Sequence, residues 1–565
     1  MVGRHWPTTD ELAGFQDKRA QASANEEIMI AMRNTLSKYL PVLALFGSVA
    51  CTDLTETPYD QVTDANFNPT AADIANLMAP VYTPLRTTYM SWYGMVDGME
   101  ETADAFITPV RPNGWYDGGV YIRMHEHKWT TGQGQAGTVW NNSFSGINSA
   151  NRVLHQIESS VISLDAATSL SITTELKAMR AFYYSLLLDH FGRVPIVTDF
   201  SDPELPQQTT RQQVYDFVVS ELTAAIPNLS TDTGEDMYGR MNQTAAKAIL
   251  ARVYLNAGVY TGTPQWQKVI DVTGEIIAAN DYRLDATYRG PFARDNFNSP
   301  EIIFAVPYDA IYATQSNFHM KTLKPELRYV FDLQAQPWGG SASNPQFIDT
   351  YDVDDDRLED TWLMGEQRDE LGRGYTFVKY VPGINKDQLN EFDHGFPVRK
   401  YEIYAKETGS SDVDYPIVRY AEVLMMRAEA LMRLGQSGAG ALVTQVRQRN
   451  FKGAAAGKAV VTDAELQQGS RYNYGWYDVD GVVKTGVGGT PVTNGGADIA
   501  FGRFLDELGW EFAIEAHRRT DMIRFGIFTT KTWFNHKPNG AHRTVFAIPS
   551  NAIRTNPNLT QNEGY

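Results

Sequence analysis

The sequence predicts a mainly α-helical protein: tetratricopeptide-like helical hairpins with long irregular loops and a few short strands. Three observations carry that expectation. Four segments place apolar residues at helical spacing, small residues recur on those segments, and a long central stretch is broken by Pro, Gly, Asn and Asp. Small residues (Ala178, Ala181, Ala245, Ala248, Ala251, Ala428, Ala430) let two helices approach closely, as in stacked helix pairs. No fixed-period repeat is visible, so the array is degenerate.

A first helix is expected in 174–192, where Leu176, Met179, Tyr183, Leu186, Leu187 and His190 share a stripe that Gly192 and Pro195 end. Thr244 reads as the N-cap of a second, with Ala246, Ile249, Leu250, Val253 and Ala257 on its face and Gly258 as its stop. A third runs from about Val418 to Leu434, ended by Gly435. The fourth includes Leu508, Phe512, Glu515 and Arg519 and continues through 521–526. Between about Pro291 and Tyr415, apolar pieces such as 302–306 alternate with turn formers, which predicts loops and short strands. A strand hairpin is expected within about 452–498, a stretch rich in Gly, Val, Thr and Tyr.

Cys51 is the only cysteine. It follows Arg33, Lys38, a short apolar run over 39–50 and small residues. A membrane-spanning helix needs roughly 20 apolar residues, so the run reads as a cleaved export signal with Cys51 as the lipid anchor. Residues 1–50 are an upstream extension plus signal peptide outside the mature fold, with translation expected to start at Met29 or Met32.

The formal net charge is −18, and the five basic and five acidic residues before Cys51 cancel, so the mature part keeps all of it. A nucleic-acid partner is excluded because phosphate binding needs a basic footprint. With 29 tyrosines and 11 tryptophans, some rings are expected on the surface, where they can stack on sugars.

Several motifs read as structural. The 132–137 stretch Gly-Gln-Gly-Gln-Ala-Gly matches a dinucleotide fingerprint but follows no buried strand, so it reads as a flexible loop before a helix containing Trp140, Ile147 and Leu154. His125 and His127 flank Glu126 without a third metal ligand nearby. The acidic run 351–357 has oxygen ligands for calcium but no EF-hand glycine or terminal glutamate, and pairing of Asp356 with Arg357 or solvation is preferred. Neither a Gly-x-Ser-x-Gly nor a His-Glu-x-x-His hydrolase signature is present.

The stretch 111–119 (Arg-Pro-Asn-Gly-Trp-Tyr-Asp-Gly-Gly) is different. Its turn formers predict an exposed loop carrying Trp115, Tyr116 and Asp117, with Arg111 and Asn113 beside them. Ring faces pack on sugar C–H groups while Asp, Asn or Arg bonds hydroxyls. Trp338, followed by Gly-Gly-Ser-Ala-Ser-Asn, repeats that chemistry. These six residues are the candidate carbohydrate-binding set; no catalytic or metal-binding residue is assigned.

Segments 139–151, 176–184 with 191–195, 245–254, 419–430, 510–518 with 521–526, 548–557 and 561–565 together resemble the SusD/RagB family of outer-membrane lipoproteins. The resemblance spans nearly all of 51–565. It implies a SusD-like fold in one glycan-binding domain, with an N-terminal part of about 51–290 and a C-terminal part of about 291–565. It further implies cell-surface exposure through the lipid anchor, glycan binding without catalysis or cofactor, and a SusC-like TonB-dependent transporter as partner. A lipid-anchored glycan hydrolase and a peptide-binding family member are the alternative functions.

Overall fold

A computed structural model of the chain describes residues 71–112, 115–385, 390–475 and 495–565. Cys51, the signal segment and Asn113 lie outside the described residues. Helices α1 (Ala71–Tyr82), α2 (Met95–Glu101) and α3 (Val120–His125) precede two long helices, α4 (Gly134–Glu158) and α5 (Ala166–His190). The 159–165 connection reaches at most ~25 Å, short of the ~37 Å length of a 25-residue helix, so α4 and α5 pack antiparallel. Their approach is close: a Cβ on Gly146 of α4 would fall 2.1 Å from the Tyr183 ring of α5.

The ladder continues through α6 (Arg211–Ala225), α7 (Gln243–Leu255), α8 (Trp266–Ala279), α9 (Tyr420–Arg433) and α10 (Ala439–Arg447), each packed on the one before. The alanines that the sequence placed at these contacts are all fully buried. Two boundaries differ from expectation. α5 begins at Ala166, because Asp165 caps it by accepting the N–H of Ala167 and Thr168. α7 is capped by Asn242, whose Oδ1 accepts the Ala245 N–H at 2.8 Å, and Thr244 lies inside its first turn.

The fourth expected helix is two. α11 (Gly502–Phe512) stops, the chain turns through positive φ at Ile514 (63°) and Ala516 (61°), and α12 (Arg518–Arg524) follows. The turn directs the Glu515 carboxylate to Arg419 (2.7 Å) and Lys400 (2.6 Å). With Glu511 it belongs to a buried ionic network that includes Glu301, Arg357 and Arg449.

Short strands pair across the chain: β1 (Phe106–Ile107) with β3 (Ala342–Ser343), and β2 (Ile302–Val306) with β6 (Tyr415–Arg419), both antiparallel. β4 (Gly365–Arg368) and β5 (Gly374–Phe377) form a hairpin. The hairpin expected in 452–498 is absent from the described part of that stretch, which forms a 3₁₀ turn over Gly453–Ala459 and a short helix over Asp463–Leu466. Among the described residues, no helix is long and apolar enough to cross a membrane.

Candidate functional site

Pairing of β1 with β3 brings together two loops more than 200 residues apart in sequence, one following Ile107 and the other preceding Ala342. The second loop is fixed by its backbone. Trp338 N–H donates to Met320 O at 2.6 Å, and the N–H groups of Gly340 and Ser341 donate to Lys321 O at 2.8 and 3.1 Å. The buried Lys324 ammonium holds the Ser341 carbonyl at 3.0 Å.

Trp115 and Trp338 meet directly. The Trp115 indole N–H donates to the Trp338 carbonyl at 2.8 Å. The Trp115 ring lies on the Gly340 backbone, where a Cβ would come within 2.9 Å of it, and 5.5 Å from the ring of Tyr121. Both tryptophans are half-buried. Tyr116 is exposed, as is Asp117. Asp117, Gly118 and Gly119 adopt φ of 45°, 60° and 76°, a left-handed run that the two glycines make accessible. Arg123 Nη1 closes this turn on the Gly118 carbonyl at 2.6 Å.

Arg111 corrects the expectation of an exposed loop throughout 111–119. It is 1% exposed, donating from Nε to Gly340 O (3.0 Å) and from Nη1 to the carbonyls of Glu391 (2.6 Å) and His394 (2.9 Å). Burial pushes its guanidinium down to about 9. Its bonds tie three loops together, behind the rings rather than beside them.

Two residues that the sequence reading missed complete the platform. Trp92 stands edge-on to Trp338 (5.6 Å, 77°) and to Tyr93 (4.3 Å, 76°). Its main-chain N–H donates to Asn317 Oδ1 at 2.8 Å. The Tyr93 hydroxyl donates to Asp117 Oδ2 at 3.3 Å; burial, and then Asp117, push that hydroxyl up to about 12. The signal was present as adjacent aromatics before Gly94, the same ring-and-glycine composition that singled out Trp115. The glycine match at 132–137 belongs here too. Its Gly134 opens α4, and a Cβ there would fall 2.3 Å from the Tyr93 ring, so the position seats an aromatic rather than a phosphate.

The resulting surface offers flat rings at several angles, one exposed carboxylate and main-chain polar groups. It can stack on sugar rings and bond hydroxyls.

The remaining motifs are internal. His125 and His127 are buried with His536, each holding a backbone carbonyl: Phe534 at 2.5 Å, Thr102 at 2.8 Å and His125 at 2.6 Å, respectively. Burial pushes His125 down to about 4 and lowers the other two, so the cluster is neutral. In the acidic run, Lys458 pairs with Asp352 (2.8 Å) and Asp354 (2.6 Å), Arg357 with Asp355 (2.7 Å), and Lys452 with Asp356 (2.6 Å). Pairing is therefore the observed arrangement, but Asp356 takes Lys452 rather than Arg357. No group of three or more His, Cys, Asp or Glu positioned for a metal occurs among the described residues.

Residues 300–565 match the model of the SusD family, and residues 59–255 match a second family model described as starch-binding associating with outer membrane. This is a SusD-like protein. The SusD-like chain is 25% identical to the starch-binding protein SusD of Bacteroides thetaiotaomicron, over 71% of this chain and 74% of that one. It is 22% identical to SusD-like protein P25 of Formosa agariphila, over 93% and 98%. Among solved structures, a SusD superfamily protein from Parabacteroides distasonis superposes with a TM-score of 0.65 at 20% identity, covering 89% of this chain and 100% of that one. Surface glycan-binding protein A of Bacteroides thetaiotaomicron, in complex with laminarihexaose, superposes with a TM-score of 0.62 at 17% identity, covering 87% and 100%. These neighbours share the SusD-like fold. The site described above draws Trp92 and Trp115 from the segment of one family match and Trp338 from the other.

Proposed function

We propose that this SusD-like protein binds oligo- or polysaccharide at the cell surface, without catalysis, and delivers it to a SusC-like TonB-dependent transporter of the outer membrane. The observation that carries this reading is the half-exposed platform of Trp92, Tyr93, Trp115 and Trp338, held rigid by main-chain bonds. Rings preset at fixed angles stack on a sugar without losing side-chain entropy on binding. The names of its relatives, starch-binding protein SusD and surface glycan-binding protein A, fit the same chemistry.

Trp115 and Trp338 are the stacking rings, with Trp92 and Tyr93 extending them. Tyr116 and Asp117 supply hydroxyl partners, Asn113 is a further candidate partner from its place in the sequence, and Arg111 acts by positioning the loops. Cys51 carries the lipid that anchors the mature chain, 51–565, in the outer membrane. The anchor raises the concentration of the protein near a membrane partner, so even a weak contact is occupied.

Affinity gels containing candidate glycans test the binding claim: retention without release of reducing ends supports it, and release makes the protein a hydrolase. Gentle detergent extraction tests the transporter claim. Recovery of a large β-barrel in near-equal amount supports it, and recovery of this chain alone under conditions that keep other outer-membrane complexes intact contradicts it. Cys51→Ala should abolish fatty-acid labelling and membrane fractionation while leaving the fold intact.

A further inference from the structure

Beneath the platform lies a fully buried ammonium, that of Lys321. It bonds Glu101 Oε1 at 2.7 Å and the Asp97 carboxylate. It also sits 3.8 Å from the centroid of the Tyr121 ring, and that ring in turn neighbours Trp115, 5.5 Å away between centroids. The main-chain carbonyl of the same residue accepts the N–H groups of Gly340 and Ser341, the backbone on which the Trp115 ring rests. One residue thus touches both loops, the first through its side chain and Tyr121, the second through its carbonyl.

The surroundings of the ammonium are built to keep it in place. Glu101 Oε1 also accepts the Thr108 hydroxyl, and that hydroxyl is 2.7 Å from Ser341 Oγ. Asp97 Oδ2 accepts the side-chain amide of Gln135 at 2.6 Å, from the first turn of α4. Two carboxylates thus face one ammonium. Burial holds Asp97 above the carboxylate range, opposed by Lys321 and reinforced by Glu101. A buried ion pair is a poor source of stability compared with apolar packing of the same volume, whereas a desolvated cation against a ring face is a strong and directional contact.

We propose that Lys321 is a positioning residue of the carbohydrate platform: its buried ammonium fixes Tyr121, and through Tyr121 the orientation of Trp115 relative to Trp338. The inference rests on the glycan-binding reading for its consequence, although the orientation of Trp115 can be measured without ligand.

The single variant Lys321→Met would leave two unpaired buried carboxylates, so the test uses the charge-free triple variant Lys321→Met, Asp97→Asn, Glu101→Gln. The full chain is labelled with 5-fluorotryptophan, and the Trp115 resonance is assigned by its loss in Trp115→Phe. The triple variant should keep a cooperative thermal transition, shift the Trp115 resonance, and bind a glycan recognised by the wild type about tenfold more weakly. Tyr121→Leu, which keeps the ionic triad and removes the ring that relays it, should shift the same resonance and serves as the test should the triple variant not fold. A Trp115 resonance unmoved in the folded variant overturns the proposal. If the wild type binds no glycan, the function reading fails, while the resonance still decides the role of Lys321.

Discussion

The ionic network around Arg419 and the aromatic platform around Trp115 both join distant parts of the chain, but they do so with opposite chemistry. Arg419 is 1% exposed and pairs with Glu301 (2.8 Å), Glu511 (2.7 Å) and Glu515 (2.7 Å); Arg449 and Lys400 share the same acids. Trp115 and Trp338 are half-exposed and joined by one indole-to-carbonyl bond. The network closes on itself and leaves little for a ligand. The platform is held by Arg111, Lys321 and Lys324, and its rings keep part of their surface at solvent. Scaffold and site separate by whether a group's bonding capacity is used up internally.

The largest effect is expected in the network. Arg419→Met takes one cation from each of three buried carboxylates, leaving Glu301 with Arg449, Glu511 with Arg449 and Arg357, and Glu515 with Lys400. It should cost about 3 kcal/mol, read as a lower urea midpoint, while glycan affinity of the folded fraction stays unchanged. If the urea midpoint stayed put, the network would be ornamental.

The buried histidines come next, with a pH signature. His125 is neutral when folded, pushed down to about 4 by burial. The unfolded chain takes up its proton first, near pH 6.5. The histidine therefore costs nothing above about pH 6.5 and removes stability as the pH falls towards about 4, below which the loss is complete. Relative to wild type, His125→Gln should be less stable at pH 7.5, and that gap should shrink by about 3 kcal/mol between pH 6.5 and 4. A constant gap in paired denaturation curves would place the imidazole in contact with water.

Smaller effects probe the platform. Trp115→Ala should weaken glycan binding by about 2 kcal/mol, roughly 30-fold, with a modest loss of melting temperature because part of the ring is already exposed. A large drop in melting temperature would instead make Trp115 a core residue like those around Arg419. Gly340→Ala pushes a methyl group to within 2.9 Å of the Trp115 ring. It should shift that ring and cost about 1 kcal/mol of binding, roughly fivefold, with the fold retained; calorimetry reads both.

How far the sequence revealed each region follows from the same contrast. Helices were legible where apolar periodicity and small residues coincide, as in α5, α7 and α9, because helix-on-helix packing imposes that pattern. The continuation of α11 through Glu515 was misjudged. Its spacing is helical, but the Glu515 carboxylate pairs with Arg419 and Lys400, elements far away in sequence. Trp115 and Trp338 stood out by their turn-forming neighbours, yet nothing local says that they touch; the β1–β3 pairing decides that. Arg111 looked like a surface donor because a loop composition carries no information about which side chain turns inward. Trp92 and Tyr93 were overlooked because only one glycine marks them, whereas several flank Trp115.

The central claim is that a preset aromatic platform binds neutral glycan without cleaving it. Calorimetric titration of the wild type and Trp115→Ala with a panel of neutral oligosaccharides, beginning with laminarihexaose, tests it most directly. The account predicts saturable binding of at least one glycan to the wild type, about 30-fold weaker binding to the variant, and no new reducing ends in either cell. Equal affinity in the two proteins, or no binding across the panel, would contradict it.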